Sequence, residues 1–111
     1  MWCWGRGKFV TRIYAELGRR VFKFEWDEQK AVSNLRKHAV SFDEAVSVFG
    51  DAVALTFADT DHNEFENRSR TYGMSCKDRL LVVVHTERRS GIRIISARKA
   101  TRYEKSIYEN E

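Results

Sequence analysis

Five consecutive apolar residues, Leu80-Leu81-Val82-Val83-Val84, lie one short turn before a second apolar segment, Ile92-Arg93-Ile94-Ile95-Ser96-Ala97-Arg98. An unbroken apolar run of this length, rich in β-branched residues, predicts a central strand covered on both faces, spanning Arg79 to Thr86. Arg88 to Gly91 is the turn, Ile92 to Ala97 the next strand, and Lys99 to Glu109 a closing helix. Such a strand demands a layer on each side of it, which restricts the chain to a layered fold. The arginines at the ends of the second strand matter for chemistry. Regular backbone holds guanidinium forks in fixed positions, where they can grip a phosphate.

The chain has 111 residues, enough for one domain with one modest core. No stretch approaches the ~20 apolar residues of a membrane span. The N-terminus carries tryptophans and charges in place of a continuous apolar signal region. Cys3 and Cys76 lack metal-ligand spacing, and a reducing compartment would keep both as thiols. The expectation is a soluble cytoplasmic protein.

Residues 1–21 differ from the rest. Phe9, Val10, Ile13, Tyr14 and Leu17 form a partial helical stripe that Gly18 would stop. The stripe is the lesser reading, and the expectation is a basic N-terminal extension, frayed or weakly docked, or a start codon assigned too far upstream. The domain proper is expected over residues 22–111. Val21 to Trp26 alternates, with Phe22, Phe24 and Trp26 on one face of a strand. Asp27 offers an N-cap to a helix running to about His38, with Ala31 and Leu35 on its inner face and Arg36, Lys37 and His38 in its last turn. Ser41-Phe42-Asp43-Glu44 reads as a capping box, followed by Phe42, Ala45, Val46 and Phe49 as a core stripe and Gly50 as a C′ stop. Asp51 to Phe57 is a moderate strand signal. Glu66 to Cys76 is extended, with Arg68, Arg70 and Tyr72 on one face and a bend or bulge at Gly73. Lys77-Asp78 predicts a hairpin turn. The order β-α-α, a meander of about four strands, then α, is an α+β plan with helices on an antiparallel sheet.

The formal charge of +4 is unevenly spread. Residues 22–67 carry 4 basic and 10 acidic groups, whereas residues 68–111 carry 11 and 5. A basic C-terminal half suits an anionic partner such as RNA, and it equally suits neutralisation by the acidic half within the fold.

The motifs, taken in order, resemble a known family. They are Phe24-Glu25-Trp26-Asp27, Asn34-Leu35-Arg36-Lys37-His38, Val40-Ser41-Phe42-Asp43-Glu44-Ala45, Val48-Phe49 and Asp51, then Glu66-Asn67-Arg68 with Gly73, Leu80 to Val84, and Arg93 to Thr101 with Glu104 and Tyr108. Over about residues 22–110 the chain is similar to the BrnT (DUF497) toxins of type II toxin–antitoxin systems. The resemblance implies a RelE-like fold, with about four antiparallel strands plus a short N-terminal one, two N-terminal helices and one C-terminal helix. It also implies a ribonuclease that inhibits translation and a BrnA-like antitoxin with a ribbon-helix-helix domain. Operator DNA would be reached only through that complex. The chain departs from the family at Ala39, where a glycine is usual, and in residues 1–21, which have no counterpart.

Metal-independent RNA cleavage needs a base for the 2′-hydroxyl, an acid for the leaving 5′-oxygen and cations for the phosphorane. Under this resemblance Lys37, His38, Arg68, Arg98 and Glu104 are the candidate catalytic residues. Arg70, Arg93 and Tyr108 are candidate RNA contacts. Histidine is the side chain that ordinarily exchanges protons near neutrality, and a solvated helix end is the alternative role of His38. Lys37 can hold a phosphate or act as acid, or simply be solvated. The arginines either grip phosphate or pair with acids such as Glu66 and Glu104. Glu104 either orients an arginine or acts as base. Tyr108, four residues on, contacts RNA or anchors a helix edge. Asp59, Asp61 and His62 read as a polar turn, and His85 as structural at a strand end. No metal or cofactor is expected. The rival reading is a non-catalytic module that binds nucleic acid or protein and acts only as a co-repressor with its partner.

Overall fold

Strict alternation decides the fate of Val10–Leu17. Ile13, Ala15 and Leu17 pack toward the core while Arg12, Tyr14 and Glu16 are exposed, which is the two-residue period of a strand. The computed structural model, which describes residues 10–59, 67–89 and 91–110, therefore has strand β1 (Val10–Leu17) where the partial stripe predicts a helix. The helical spacing of Val10, Ile13, Tyr14 and Leu17 misleads because Tyr14 lies 70% exposed. β1 pairs antiparallel with β2 (Arg20–Asp27) from Val10↔Asp27 to Leu17↔Arg20, around a turn in which Gly18 has φ 66°.

Asp27 ends β2 and caps α1 (Glu28–His38), its side chain accepting from the Gln29 N–H at 2.8 Å. Leu35 is not on an inner face. It is 52% exposed, and the buried residue of α1 is Asn34. α1 stops at Ala39, which is left-handed at φ 59°, ψ 32°. Ser41 caps α2 (Phe42–Ser47), accepting from the Glu44 N–H at 3.0 Å. The Glu44 carboxylate does not complete a capping box: it is drawn away to Arg79 and Ser75. Gly50 does not stop this helix in the left-handed region either. α2 passes into a 3₁₀ turn (Val48–Gly50) that closes through Asp51 N–H to Val48 O.

The rest of the sheet is β3 (Leu55–Ala58), β4 (Arg68–Met74), β5 (Leu80–Arg88) and β6 (Gly91–Lys99), followed by α3 (Arg102–Glu109). The described strands form one six-stranded sheet in the order β1-β2-β6-β5-β4-β3. The sheet is larger than the expected four strands plus one, and it is mixed. β2 runs parallel to β6 through Phe24↔Ile92 and Glu25↔Arg93, while every other pairing is antiparallel. Gly91 permits this crossover contact. Its φ is 132°, and a Cβ there would stand 2.5 Å from the Lys23 carbonyl oxygen. Gly73 makes no bulge. It pairs regularly with Leu81 and is small because a Cβ would meet Val48 Cγ1 at 2.7 Å. The irregularity lies instead at Val84/His85, opposite β6.

Alternation gives the sheet two unlike faces. One carries Phe24, Trp26, Leu81, Val83, Ile94 and Ala97 and is covered by Val40 and by Phe42, Ala45, Val46 and Val48 of the helical segment. Trp26 meets Phe42 edge-on at 5.8 Å, and Phe24 meets Phe49 at 5.2 Å. The other face carries the arginines.

Candidate functional site

β4, β5 and β6 bring four of the expected site residues to one face. Arg68 stands opposite Thr86 and Thr86 opposite Arg93, while Arg70 stands opposite Val84 and Arg98 opposite Val82. Val82, Val84 and Thr86 alternate along β5, so all four arginines project from the side away from Leu81, Val83 and the first two helices. Beside Arg98, Tyr72 and Val82 are buried.

Arg98 is held by a two-pronged pair. Its Nη1 and Nη2 each donate to one oxygen of Glu104 at 2.8 Å, and Nη1 also reaches the Lys99 carbonyl at 3.2 Å. α3 begins where this pair needs it. Thr101 accepts from the Glu104 N–H at 3.1 Å, and Glu104 accepts from the Thr101 N–H at 2.8 Å, a reciprocal capping box. The Arg98 guanidinium holds the Glu104 carboxyl down at about 2, against burial that works to raise it, with help from Thr101. Glu104 in turn pushes the Arg98 pKa up. Tyr108 sits further along α3, and its hydroxyl donates to Asp51 Oδ2 at 2.6 Å. That bond, with burial, pushes the Tyr108 pKa up to about 12. For Asp51, burial works to raise the pKa, but bonds from Tyr108, Met74 N–H and Val53 N–H outweigh it and hold it low. Tyr108 thus ties α3 to the approach to β3.

Arg93 donates to the buried carboxylate of Glu25 at 3.3 Å, and Arg12 of β1 approaches the other oxygen at 3.5 Å. Arg70 Nε lies 4.0 Å from Asp59 Oδ1. The Nε atoms of Arg68 and Arg70 and the Thr86 hydroxyl are buried without a hydrogen-bond partner among the described residues. Glu25 Oε1, on the same face, is a buried acceptor that likewise has no hydrogen-bond partner among the described residues, and unpaired buried polar atoms are costly. Glu66, the expected partner of Arg68, lies outside the described residues, as do Asp61 and His62. Asp59 is buried, and its N–H donates to the Arg68 carbonyl at 2.8 Å.

Lys37 and His38 are not on the arginine face. They occupy the exposed last turn of α1, beside the edge of β6 that β2 leaves unpaired beyond Arg93. Asn34 fixes that placement. Its Nδ2 donates to the Ala97 carbonyl at 2.8 Å and to the Val40 carbonyl at 2.9 Å, while its Oδ1 accepts from the Ala97 N–H at 3.1 Å. One side chain thereby joins the loop just after His38 to the residue just before Arg98. Arg79 makes a second tie, from Nη2 to the Ala39 carbonyl at 3.2 Å, and is itself locked to Glu44. The bond from Arg79 holds the Glu44 carboxyl below its ordinary range.

Sequence reasoning passes over Asn34, Thr101 and Arg79. Two of these carry a local signal. An asparagine inside a helix is unfavourable unless its amide has a partner, and Thr101-Arg102-Tyr103-Glu104 is a capping-box pattern two residues after the expected helix start. Arg79 carries none, since its partner lies 35 residues away. His85 is interior to β5 and not at a strand end. It faces Phe49 at 4.9 Å, bonds Thr71 at 2.8 Å, and burial pushes its pKa down to about 4.

A crystal structure of the Brucella abortus ribonuclease toxin BrnT is similar to this fold, with a TM-score of 0.54 and 22% sequence identity over 69% of this chain and 94% of that one. No curated protein matches the chain. A family profile described as "Ribonuclease toxin, BrnT, of type II toxin-antitoxin system" matches residues 26–104. That span runs from Trp26 in β2 to Glu104 in α3 and includes seven of the eight expected site residues, so the chain belongs to the BrnT family of ribonuclease toxins of type II toxin–antitoxin systems.

Proposed function

We propose that the chain is a metal-independent endoribonuclease that cuts RNA in the cytoplasm and so inhibits translation. The observation that carries this reading is the arginine face, where Arg98 is oriented by Glu104 and Arg68, Arg70 and Arg93 project from the same side of the sheet. In the proposed reaction the RNA supplies its own nucleophile, the 2′-hydroxyl. Arg98 and Arg68 stabilise the charge that builds on phosphorus, because a planar fork matches two phosphoryl oxygens. Arg70 and Arg93 hold neighbouring phosphates. Glu104, ionised down to about pH 2, is a poor proton acceptor near neutrality and serves to orient Arg98. Proton transfer falls to His38, with Lys37 beside it, reaching the scissile phosphate around the open edge of β6. Tyr108 holds α3 in place.

The family domain of this reading is RelE-like and begins at residue 22, with β1 as an added strand. Its partner is a BrnA-like ribbon-helix-helix antitoxin whose acidic or amphipathic segment covers Arg68 and Arg98, and the complex reaches operator DNA through that antitoxin. The test is direct. Purified protein is incubated with labelled RNA in EDTA, and the products are examined for fragments ending in 2′,3′-cyclic phosphate. Such fragments, suppressed by saturating antitoxin, support the reading. Tight RNA binding without fragments would instead favour a non-catalytic module.

A further inference from the structure

We propose that the β1–β2 hairpin extends the arginine face into a platform for single-stranded RNA, with Tyr14 stacking on a base and Arg12 and Lys23 holding phosphates. The proposal rests on the RNA reading above and concerns strand that lies outside the cleavage site. The matched family segment begins at residue 26, so β1 and its turn lie before it.

The hairpin is continuous with the site in register and in face. Arg12 stands opposite Glu25, Glu25 opposite Arg93, Arg93 opposite Thr86, and Thr86 opposite Arg68. That row crosses five strands, about 19 Å at the usual interstrand spacing. Ile13, Ala15 and Leu17 pack on the core, so Arg12 and Tyr14 must share the side of Glu25. Tyr14 stands opposite Lys23, two residues from Arg12.

Charge gives the platform its sign. Arg93 and Glu25 alone would cancel. Arg12 adds a second guanidinium to the same carboxylate, leaving the trio with one net positive charge, and the Arg12 side chain is 56% exposed. Tyr14 adds a ring that is 70% exposed in the middle of a paired strand, between two cations. An aromatic surface flanked by cations on a sheet is what an unpaired nucleotide needs. The ring accepts the face of any base, and the cations follow the backbone. The platform ends toward the turn, where Glu16 and the exposed Val21 face each other.

The experiment uses the full chain and a fluorescent 20-nucleotide 2′-O-methyl RNA, which lacks the attacking hydroxyl, so binding is read without cleavage. Tyr14→Ala and Arg12→Gln should each weaken binding about tenfold, and Arg12→Gln should also reduce the salt slope by about one. Tyr14→Phe should keep the full affinity, because stacking needs the ring and not the hydroxyl. Circular dichroism melting checks that each variant is folded, and Lys23→Gln, at a half-buried position opposite Tyr14, offers a third variant. Wild-type affinity in all three non-conservative variants would overturn the platform and leave the RNA reading standing. A wild-type chain that neither binds this RNA nor cleaves ordinary RNA would overturn both. Loss of antitoxin affinity in these variants, with RNA binding unchanged, would overturn the platform and assign this face to the protein partner.

Discussion

The two faces of the sheet are built from alternate residues of the same strands, yet they follow opposite rules. On the helix side, Leu81 and Val83 are completely buried, Asn34 bonds the backbone of Ala97 and Val40, and His85 bonds Thr71 through Nε2 while its Nδ1 has no partner among the described residues. On the arginine side, Val82 is buried as deeply, but around it stand Arg68, Arg70, Arg93 and Arg98, and three buried donors and one buried acceptor, Glu25 Oε1, lack hydrogen-bond partners among the described residues. A one-residue step along β5 thus separates a face of packed apolar side chains from one that gathers four arginines. Most of the apolar core lies on the first face. Binding is expected on the second.

His38 gives the sharpest way to break this division, because it lies on neither face. If chemistry needs it, the site wraps around the open edge of β6. His38→Ala should then lower RNA cleavage by about 10²–10⁴-fold with the fold intact, as loss of a general acid or base does. Single-turnover cleavage with a thermal melt of the same sample checks both halves of the statement. Unchanged cleavage by the folded variant would confine the chemistry to the arginine face.

Asn34 joins the two sides, and its loss should be felt in stability. Asn34→Leu leaves the Ala97 N–H and carbonyl and the Val40 carbonyl without their partner in a buried place. The expected cost is about 3 kcal/mol, read from urea unfolding. A cost near zero would mean that water enters the edge of β6 and replaces the amide.

Much of this division was legible in the sequence. The run Leu80–Val84 placed β5 with cover on both sides, and Arg68, Arg70 and Tyr72 were expected on one face from their spacing alone. Asp27 and Ser41 marked two helix starts because caps are local, decided by a side chain and a backbone N–H two or three residues away. What escaped was non-local. The parallel Glu25↔Arg93 pairing joins residues 68 apart, the Arg79–Glu44 pair 35 apart, and neither leaves a periodic trace. β1 is hidden in a segment whose sequence suggests a frayed extension or a partial helix, because a short mixed stripe fits both periods until its partner strand is known. The candidate residues split in the same way. The arginines share a face by spacing, whereas the position of Lys37 and His38 depends on where Asn34 docks α1.

Acid should take the two faces apart at different pH. His85 is buried, and its pKa is pushed down to about 4 from 6.5. Between those values the unfolded chain binds a proton that the fold refuses, so stability falls as pH drops through that window. Glu104 has a folded pKa of about 2 against 4.5. Its contribution is complete above 4.5 and is lost as pH falls toward 2. The His85 effect should amount to at most about 3 kcal/mol, and the Glu104 effect to less, reduced by the water around Arg98. His85→Leu should flatten the upper window and Glu104→Gln the lower one, measured by urea unfolding at stepped pH. If both variants keep the wild-type profile, the acid sensitivity lies elsewhere.

The smallest expected effect tests the junction at the end of α1. Ala39 holds φ 59° and ψ 32°, with its N–H on the Leu35 carbonyl at 2.9 Å and its own carbonyl accepting from Arg79. A side chain in the left-handed region costs roughly 1–2 kcal/mol that glycine does not pay. Glycine is also looser in the unfolded chain, which takes back roughly 0.4–1 kcal/mol. Ala39 is exposed, so its methyl contributes little packing to set against the change. The balance favours Ala39→Gly by about 1 kcal/mol, a rise of about 4 °C in Tm for a domain of this size. Cleavage should stay at the wild-type rate, because the carbonyl that Arg79 holds is unchanged and Lys37 and His38 keep their turn. A lower Tm would mean that α1 ends in another conformation in solution. A higher Tm with slower cleavage would mean that strain at Ala39 is part of how His38 is presented to RNA.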